Sequence, residues 1–458
     1  MRIYLLVIYC LFLQSCKTTY DLVIQNAKVF DTKQGVLLSN KTILINKDTI
    51  VKIIDNNISE KGRKVINAAG KLVTPGIIDT HVHPTDIFGD YAAAPKYLAE
   101  DSLPFLRKKF SDNYLPFGIT AVMIMGQPEA WLKPILNWSA NTAANCTDIY
   151  TAGGALISKE ERKPYIGHIT VESPLAARQK IIKYYDLGIR YIKLYYRLRR
   201  PEFEAAFKTA DSLGMKIYGH IDGGVMLMDT TLLIGLKNYE HLFTIIHSIP
   251  FTTENDKNYE AWVNNIYGKG KSDSLSFIEE FLNEVRWNSE NQSLKIDSLI
   301  NNLAMQHTSF STTIHLFAEK IGLAYFSNRD NKPDINWSEK IVKHNVENFK
   351  IFMLLAKKMY DKGIQIRIGT DCANGGKAAL SEQLLLYEYG FSIPEIIKIS
   401  TINGARALGM ENKYGSIEKG KKADLIIYDQ SPFDNYKNFL ADRTVIKDGK
   451  VFNDPPKK

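Results

Sequence analysis

The sequence has few cysteines and no block of like charge. Only four cysteines occur in 458 residues, and the two in the body of the chain, Cys146 and Cys372, stand far apart, which excludes a disulfide framework. The net charge of +8 comes from lysines scattered along the chain. The densest basic clusters, at 197–200 and 419–422, are short and lack interleaved aromatic residues. We therefore expect no nucleic-acid partner.

The first apolar run is too short to cross a membrane. It covers residues 3–13 and follows Arg2, which is the pattern of a signal peptide rather than of a bilayer-spanning helix. Leu13-Gln-Ser-Cys16 resembles a bacterial lipoprotein cleavage site. We therefore predict a signal peptide over residues 1–15 and a lipid on Cys16 that holds the protein on a membrane. An ordinary signal peptide is the alternative.

A lipid on Cys16 predicts a location in the bacterial cell envelope. Lys17 replaces the aspartate that commonly retains lipoproteins at the inner membrane, which favours the outer membrane. The body of the protein is then expected to be periplasmic or exposed at the cell surface.

Both ends of the body carry β patterns. Hydrophobic residues make up 45% of the chain and charged residues 24%, as in a folded protein with a large core. Alternating apolar runs over 21–73, 424–428 and 444–446 predict short strands. A chain that leaves and re-enters a barrel brings its ends together. We therefore predict a small β-sandwich built from residues 16–74 and 412–458.

Between the two ends, predicted strands alternate with predicted helices. The eight candidate strands are Ile77–His83, Ile119–Met125, Ile149–Leu156, Arg190–Tyr195, Lys216–His220, Lys237–Phe243, Ser309–His315 and Gln365–Asp371. Ser173 and Pro174 predict the start of a helix that ends at Gly188. The alternation predicts an α/β fold, a (β/α)8 TIM barrel over residues 75–411. The polar segment at about 249–304 is expected to form a helical, lid-like insert.

His81 and His83 end the first predicted strand two residues apart. Because side chains alternate along a strand, these two imidazoles point the same way, which favours a metal site. Functional side chains in such barrels stand at the carboxyl ends of strands. The sequence places four more candidates there, namely Lys193, His220, His241 and Asp371. The residues alone leave open whether Lys193 forms a salt bridge, points outward, or carries a carbamate that binds metal.

The chain resembles the amidohydrolase superfamily over nearly its whole mature length. The motifs that carry the resemblance are Pro75-Gly-Ile-Ile-Asp-Thr-His-Val-His83, Ile192-Lys-Leu-Tyr195, Gly219-His220, Glu240-His241, Gly369-Thr-Asp371, Thr401–Gly409 and Gly415–Tyr428. Within the superfamily it is most similar to the imidazolonepropionase-like and prolidase-like branch. Ile166-Gly-His168 departs from the Gly-Gly-His pattern of that branch, and Ile221 follows His220 where relatives more often have alanine.

The resemblance implies a centre with two divalent metal ions, expected to be zinc. Its expected ligands are His81, His83 and Asp371 for the deeper metal and His220 and His241 for the other. Lys193, carboxylated by carbon dioxide, and a hydroxide are expected to bridge them. The implied reaction is hydrolysis of a C–N bond in a small amide, lactam, N-acyl amino acid or dipeptide. The hydroxide attacks, and Asp371 acts as general acid and base.

Four residues near strand ends are candidates for contact with the substrate. His168 is expected to be catalytic, by hydrogen-bonding the developing oxyanion, or to bind a substrate carboxylate. Tyr165, Tyr195 and Arg197 are expected to bind substrate. Each of the four has a packing or surface role as its alternative.

Three other functions stay open. A mononuclear deaminase of the same fold usually has a glutamate three residues after the fifth-strand histidine, where this chain has Gly223. A lactonase or phosphotriesterase-like hydrolase needs only the same hydroxide. A surface lipoprotein that binds without catalysis is expected to lose ligands, yet all six positions are filled. The sequence does not identify the substrate, and it leaves open whether the protein forms an oligomer.

Overall fold

The computed structural model describes residues 19–56, 60–88, 95, 97, 99–161, 167–270, 275–326 and 337–452. The predicted signal peptide, Cys16 and Tyr165 lie outside these residues. Within the described part of the chain, no helix has both the length and the apolar character needed to cross a bilayer.

The strands and helices alternate along most of the chain. The strands are β1 (Thr19–Asp31), β2 (Val36–Asn46), β3 (Thr49–Asp55), β4 (Lys61–Asn67), β5 (Leu72–Pro75), β6 (Ile77–Val82), β7 (Ile119–Ile124), β8 (Asp148–Thr151), β9 (Ala155–Ser158), β10 (His168–Val171), β11 (Tyr191–Leu194), β12 (Lys216–Gly219), β13 (Asn238–Tyr239), β14 (Ser309–Ser311), β15 (Gln365–Arg367), β16 (Leu425–Tyr428), β17 (Arg443–Lys447) and β18 (Lys450–Phe452). The α-helices are α1 (Leu103–Asp112), α2 (Leu132–Ala140), α3 (Pro174–Asp186), α4 (Arg200–Ser212), α5 (Met228–Ile234), α6 (Thr244–His247), α7 (Thr253–Tyr267), α8 (Phe277–Asn291), α9 (Ser293–Met305), α10 (Ile314–Lys320), α11 (Glu339–Asp361), α12 (Gly375–Glu388), α13 (Ile393–Ser400) and α14 (Ile402–Ala407).

One sheet contains strands from both ends of the described chain. Its order is β18-β17-β16-β5-β1-β2-β3, with β4 paired to β1. Strand β16 pairs antiparallel with β5, so that Ile426 lies opposite Thr74. Leu22, Ile43 and Ile427 belong to one buried apolar cluster of this sheet. The alternating apolar runs therefore do pair across the two ends, while the sandwich form and the domain boundaries stay predictions.

The remaining strands are parallel, and all except β10 follow the order of the chain. Strands β6-β7-β8 form one sheet, and β10-β9-β11-β12-β13-β14-β15 form another. The first and last of the predicted barrel strands also meet, because Thr80 N donates to Ile368 O at 2.9 Å and Asp371 N donates to His81 O at 2.9 Å. This arrangement is consistent with the predicted (β/α)8 architecture.

The third predicted strand is divided in two. The sequence predicted a single strand over Ile149–Leu156, whereas β8 and β9 are separated by residues 152–154. Strand β8 pairs with β7, and β9 pairs with β10 and β11. Gly153 has a φ of +73°, and a Cβ there would lie 2.6 Å from the ring of Tyr184. Glycine lets the chain turn at the point where it changes partner.

Three strands end earlier than the sequence predicted. The observed strands are β13, β14 and β15, and the predicted ranges were Lys237–Phe243, Ser309–His315 and Gln365–Asp371. A residue with left-handed backbone follows each strand, with φ of 64° at His241, 51° at Thr313 and 49° at Asp371. The pattern of apolar side chains does not predict such a turn, because the turn is a change in backbone conformation.

A helix starts where Ser173 and Pro174 predict it, and helices occupy the segment that was predicted as an insert. Ser173 Oγ accepts a hydrogen bond from Ala176 N at 3.1 Å, and Pro174 begins α3. Helices α7, α8 and α9 lie between β13 and β14. Phe281 and Leu303 from this insert are buried in the main apolar core. The insert is therefore a packed layer of the fold.

Candidate metal centre and cavity

Six predicted ligands lie in or just after parallel strands. His81 belongs to β6 and Lys193 to β11, while His83, His220, His241 and Asp371 follow the ends of β6, β12, β13 and β15. His81 Nε2 lies 3.1 Å from Lys193 Nζ and 3.6 Å from Asp371 Oδ1. His83 Nε2 lies 3.1 Å from the same oxygen. The first and last strands thus bring their histidines and carboxylate together.

The two remaining histidines complete the cluster. The ring centroids of His241 and His81 are 4.6 Å apart, and those of His241 and His220 are 4.4 Å apart. His241 Nε2 lies 3.9 Å from Asp371 Oδ2. All six residues that were placed at strand ends from the sequence therefore meet at one point.

Burial favours the uncharged form of the basic groups in this cluster. It lowers the pKa values of His81, His220 and His241 well below the ordinary value, and the neighbouring Lys193 lowers them further. Burial also lowers the pKa of Lys193, against the opposing effects of Asp371 and Glu240. Neutral imidazole is the form that binds metal ions.

Asp371 stays ionised in the same surroundings. Burial raises its pKa, but the neighbouring imidazoles of His81 and His83 outweigh that effect and bring the pKa to about 2. About 25% of the Asp371 side chain remains exposed. The cluster therefore combines neutral nitrogen donors with one carboxylate.

The donor set fits a divalent metal ion. Ligand atoms of His81, His83 and Asp371 all lie within 4.8 Å of one another. His220 Nδ1 is buried and has no hydrogen-bond partner among the described residues. Imidazole and carboxylate are the ligands that zinc takes besides thiolate. A buried nitrogen without a hydrogen-bond partner, such as His220 Nδ1, would gain a partner if a metal ion were bound in this cluster.

Glu240 contributes to the cluster, although we did not assign it a role from the sequence. Its Oε2 lies 2.5 Å from His81 Nδ1 and accepts a hydrogen bond from Ser311 Oγ at 2.6 Å. Its Oε1 accepts from Arg367 Nη2 at 2.6 Å. A carboxylate on Nδ1 fixes the orientation and tautomer of a histidine, leaving Nε2 for the metal. The sequence feature that could have identified Glu240 is its position directly before His241, a histidine at a predicted strand end.

Two other histidines are oriented by oxygen atoms in the same way. His83 Nδ1 lies 2.9 Å from Gly126 O, and His241 Nδ1 lies 3.1 Å from Thr313 Oγ1. In each case Nε2 is the nitrogen that faces Asp371. The hydrogen bonds therefore hold the Nε2 atoms of His81, His83 and His241 toward one place.

A cavity of about 890 Å³ opens onto the cluster. The predicted ligands that line it are His83, Lys193, His220, His241 and Asp371. His168 and Tyr195 also line it, and their ring centroids are 4.6 Å apart. Among the described lining residues, Arg197 does not occur, and its guanidinium forms an ion pair with Glu160. The predicted substrate-binding role of Arg197 thus has no support from its position.

The helical insert forms part of the cavity wall. Phe277, Glu280 and Glu284 of α8 line the cavity together with Phe243 and His247. This contact agrees with the expectation of a lid-like segment beside the site.

A second acidic group in the protein is an ion-pair network. Asp148, Asp424 and Asp448 lie close enough to hold a metal. However, Lys447 Nζ lies 3.1 Å from Asp148 Oδ1 and 2.5 Å from Asp448 Oδ1, and Lys422 also pairs with Asp148 and Asp448. Two ammonium groups thus already offset charge in this cluster of three carboxyl groups.

Comparison with known proteins relates the chain to one family of hydrolases. A sequence model described as "Amidohydrolase family" matches residues 303–452. A 5'-deoxyadenosine deaminase from Methanosarcina acetivorans is 25% identical over 95% of this chain and 93% of its own length. The chain is a hydrolase that resembles the amidohydrolases. It is also 34% identical to an imidazolonepropionase from Brevibacillus brevis, over only 21% of the chain and 24% of that protein.

Solved structures agree with the fold of this protein. A Xaa-Pro dipeptidase with bound methionine in the active site matches with a TM-score of 0.64 and 20% identity. The match covers 94% of this chain and 99% of the dipeptidase. At that identity the similarity concerns the fold alone.

Proposed function

We propose that this protein hydrolyses a C–N bond in a small amide, lactam, N-acyl amino acid or dipeptide. The observation that carries the proposal is the buried cluster of four histidines, Lys193 and Asp371 at the inner end of a cavity. The relatives support the bond type, since a deaminase and an imidazolonepropionase are among them. We also propose that the parallel strands close into a (β/α)8 barrel around this cluster.

We propose that the predicted residues hold two metal ions. The imidazole and carboxylate ligands favour zinc. His81, His83 and Asp371 would hold one, and His220 and His241 the other. When bound, such ions polarise a carbonyl group and lower the pKa of water toward neutrality. The neutral imidazoles and the ionised carboxylate of the described cluster are in the protonation states that this role needs.

Lys193 is proposed to carry a carbamate. Burial lowers the pKa of its amine, so that a neutral nitrogen with a free electron pair is more accessible than at the surface. The nitrogen bonds to the carbon of carbon dioxide and releases one proton to solvent, which leaves an anionic carboxylate. An ammonium group is positively charged and would repel a metal ion. A carbamate on Lys193 would instead supply a negatively charged ligand.

Asp371 is proposed to move the proton during hydrolysis. A pKa of about 2 keeps its carboxyl group ionised, and the ionised form is the one that accepts a proton from the attacking water. The carboxylic acid that results then donates this proton to the leaving nitrogen. His168 and Tyr195, which line the cavity, are proposed to orient the substrate carbonyl or carboxylate. Tyr165 keeps the same proposed role from the sequence.

Metal analysis of the purified protein tests the proposal. We expect close to two equivalents of metal, and loss of both metal and hydrolysis in Lys193→Ala. Lys208→Ala, at an exposed position of α4, is the matched control and is expected to behave like wild type. One equivalent of metal with unchanged turnover in Lys193→Ala would contradict the binuclear centre.

A deaminase is the second candidate, because the deaminase from Methanosarcina acetivorans aligns over nearly the whole chain. Gly223 occupies the position where the glutamate of such enzymes is expected, and a Cβ there would lie 1.7 Å from His247 O. The backbone therefore has no room for that glutamate in this conformation. Release of ammonia from nucleosides, with no cleavage of dipeptides, N-acyl amino acids or lactams, would favour deamination.

We propose that a lipid on Cys16 anchors the enzyme in the bacterial cell envelope, in the outer membrane. The proposal rests on the sequence of the first residues. Globomycin treatment and the Cys16→Ser variant are expected to prevent lipid attachment and to release the enzyme from the membrane fraction. Equal membrane association of wild type and Cys16→Ser would contradict it.

A further inference from the structure

Two groups of polar residues line the cavity. One is the metal-ligand cluster, and the other consists of three acidic residues that lie near one another, Asp222, Glu280 and Glu284, which we call the acidic end. Lys193, in the metal-ligand cluster, is the one lysine or arginine among the described residues that line the cavity. The acidic end therefore groups three carboxyl groups in a chain whose net charge is +8.

Aromatic rings connect the two groups. The ring centroids of His241 and Phe243 are 4.8 Å apart, and Phe243 lies 5.5 Å from Phe277 and 5.7 Å from His247. His247 Nε2 lies 3.6 Å from Glu284 Oε2. The wall from a predicted metal ligand to the acidic end is thus a continuous aromatic surface. Aromatic faces beside carboxylates favour an organic cation.

The acidic groups are not ordinary solvated surface residues. Only 21% of the Glu284 side chain is exposed. Burial raises the pKa of Glu284 to about 8, and the charges of Glu280 and Asp222 add to the effect. Holding a carboxyl group in this place costs free energy that a positive group beside it would recover.

We propose that the acidic end binds a cationic group of the substrate, so that the enzyme prefers amides with a primary ammonium or guanidinium group remote from the scissile bond. This inference rests on the proposed C–N hydrolase function. It assigns Glu284 as the central specificity residue, with Phe277 and Phe243 in contact with the aliphatic or aromatic part of the substrate.

Binding of simple probes tests the inference without catalysis. Isothermal titration calorimetry of the full-length protein would compare pentylammonium with 1-pentanol, which has the same chain without the charge. We expect pentylammonium to bind about tenfold more tightly, with a preference that falls in high salt. The Glu284→Gln variant is expected to lose the preference. Glu290→Gln, which changes an exposed glutamate of the same helix, is the matched control and is expected to keep it.

Several outcomes would overturn the inference. Equal affinity for the two probes, tighter binding of pentanoate than of pentylammonium, or an unchanged preference in Glu284→Gln would each do so. Thermal unfolding of Glu284→Gln and Glu290→Gln would verify that both variants are folded.

Hydrolysis then connects the binding to specificity. We expect kcat/KM for a lysine-containing dipeptide to exceed that for its norleucine analogue by about tenfold, and Glu284→Gln to remove the difference through KM. If neither dipeptide is cleaved while pentylammonium still binds through Glu284, the proposed reaction is wrong and the cation site stands. If both dipeptides are cleaved equally, the proposed reaction stands and the proposed cation site is wrong.

Discussion

Glu240 Oε2 lies 2.5 Å from Nδ1 of His81, whose Nε2 faces Lys193. The carboxylate is itself held by Arg367 and Ser311. Such a partner fixes the ring and increases its basicity as a ligand. The strength of metal binding should therefore depend on a residue that does not face the metal.

The Glu240→Gln variant tests this relationship. We expect metal affinity to fall about 10- to 100-fold, because the amide is a weaker acceptor for the Nδ1 proton. Titration against a chromophoric chelator measures the affinity. Glu339→Gln, at the exposed start of α11, is the control. Equal affinity in wild type and Glu240→Gln would show that Glu240 only supports packing.

The grouping of the candidate ligands was largely predictable, whereas their supporting contacts were not. A histidine after an apolar run indicates a strand end, and parallel strands bring such ends together. His83 and His220 follow this rule, since each comes directly after a strand. The salt bridge between Glu240 and Arg367 joins residues far apart in sequence, for which local patterns carry no signal. The division of the third strand at Gly153 was missed because the apolar run continues through it.

The length of the strands was the least predictable feature. Residues such as Phe243 and His315 extend the apolar pattern past the real strand end, but the first lies directly before α6 and the second lies in α10. Left-handed backbone at His241, Thr313 and Asp371 ends the strands near the metal cluster. This conformation is unfavourable for most side chains, and the surrounding fold holds it.

Two phenylalanines of the insert should have different roles. Phe281 is fully buried, so Phe281→Ala should destabilise the protein by about 3–5 kcal/mol. Phe277 lines the cavity with 47% of its surface exposed, so Phe277→Ala should change KM with a much smaller effect on stability. Urea denaturation and steady-state kinetics separate the two effects. A large loss of stability in Phe277→Ala would mean that this residue belongs to the core.

The ammonium group of Lys447 should be important for stability. It is fully buried between Asp148 and Asp448, so Lys447→Met leaves buried carboxylates without their cation. We expect a loss of about 3–5 kcal/mol, measured by urea denaturation. Lys450→Met, at an exposed position of β18, is expected to unfold like wild type. A stability of Lys447→Met within about 1 kcal/mol of wild type would show that Lys422 alone suffices.

His315 should make the protein sensitive to acid. Burial lowers its pKa to about 4, whereas the pKa in the unfolded chain is about 6.5. Between these values the unfolded chain binds a proton that the folded protein does not, so stability falls as pH falls. The loss from pH 7 to pH 4 is on the order of 2–3 kcal/mol for this residue.

The His315→Phe variant should therefore lose less stability in acid than wild type does. Unfolding by urea at pH 7 and at pH 4 measures the difference. His307→Asn, which changes an exposed histidine, should retain the acid sensitivity of wild type. An identical pH dependence in wild type and His315→Phe would show that other groups cause the acid sensitivity.

The antiparallel pairing of β5 with β16 has a consequence for how the protein is made. Strand β5 precedes the strands that carry the candidate metal ligands, and its partner β16 follows all of them. During synthesis, the edge of β5 that pairs with β16 stays unpaired until the ribosome has released almost the entire chain. Chaperone assistance is therefore most needed late in biogenesis, and premature termination before β16 should yield aggregates rather than a smaller active enzyme.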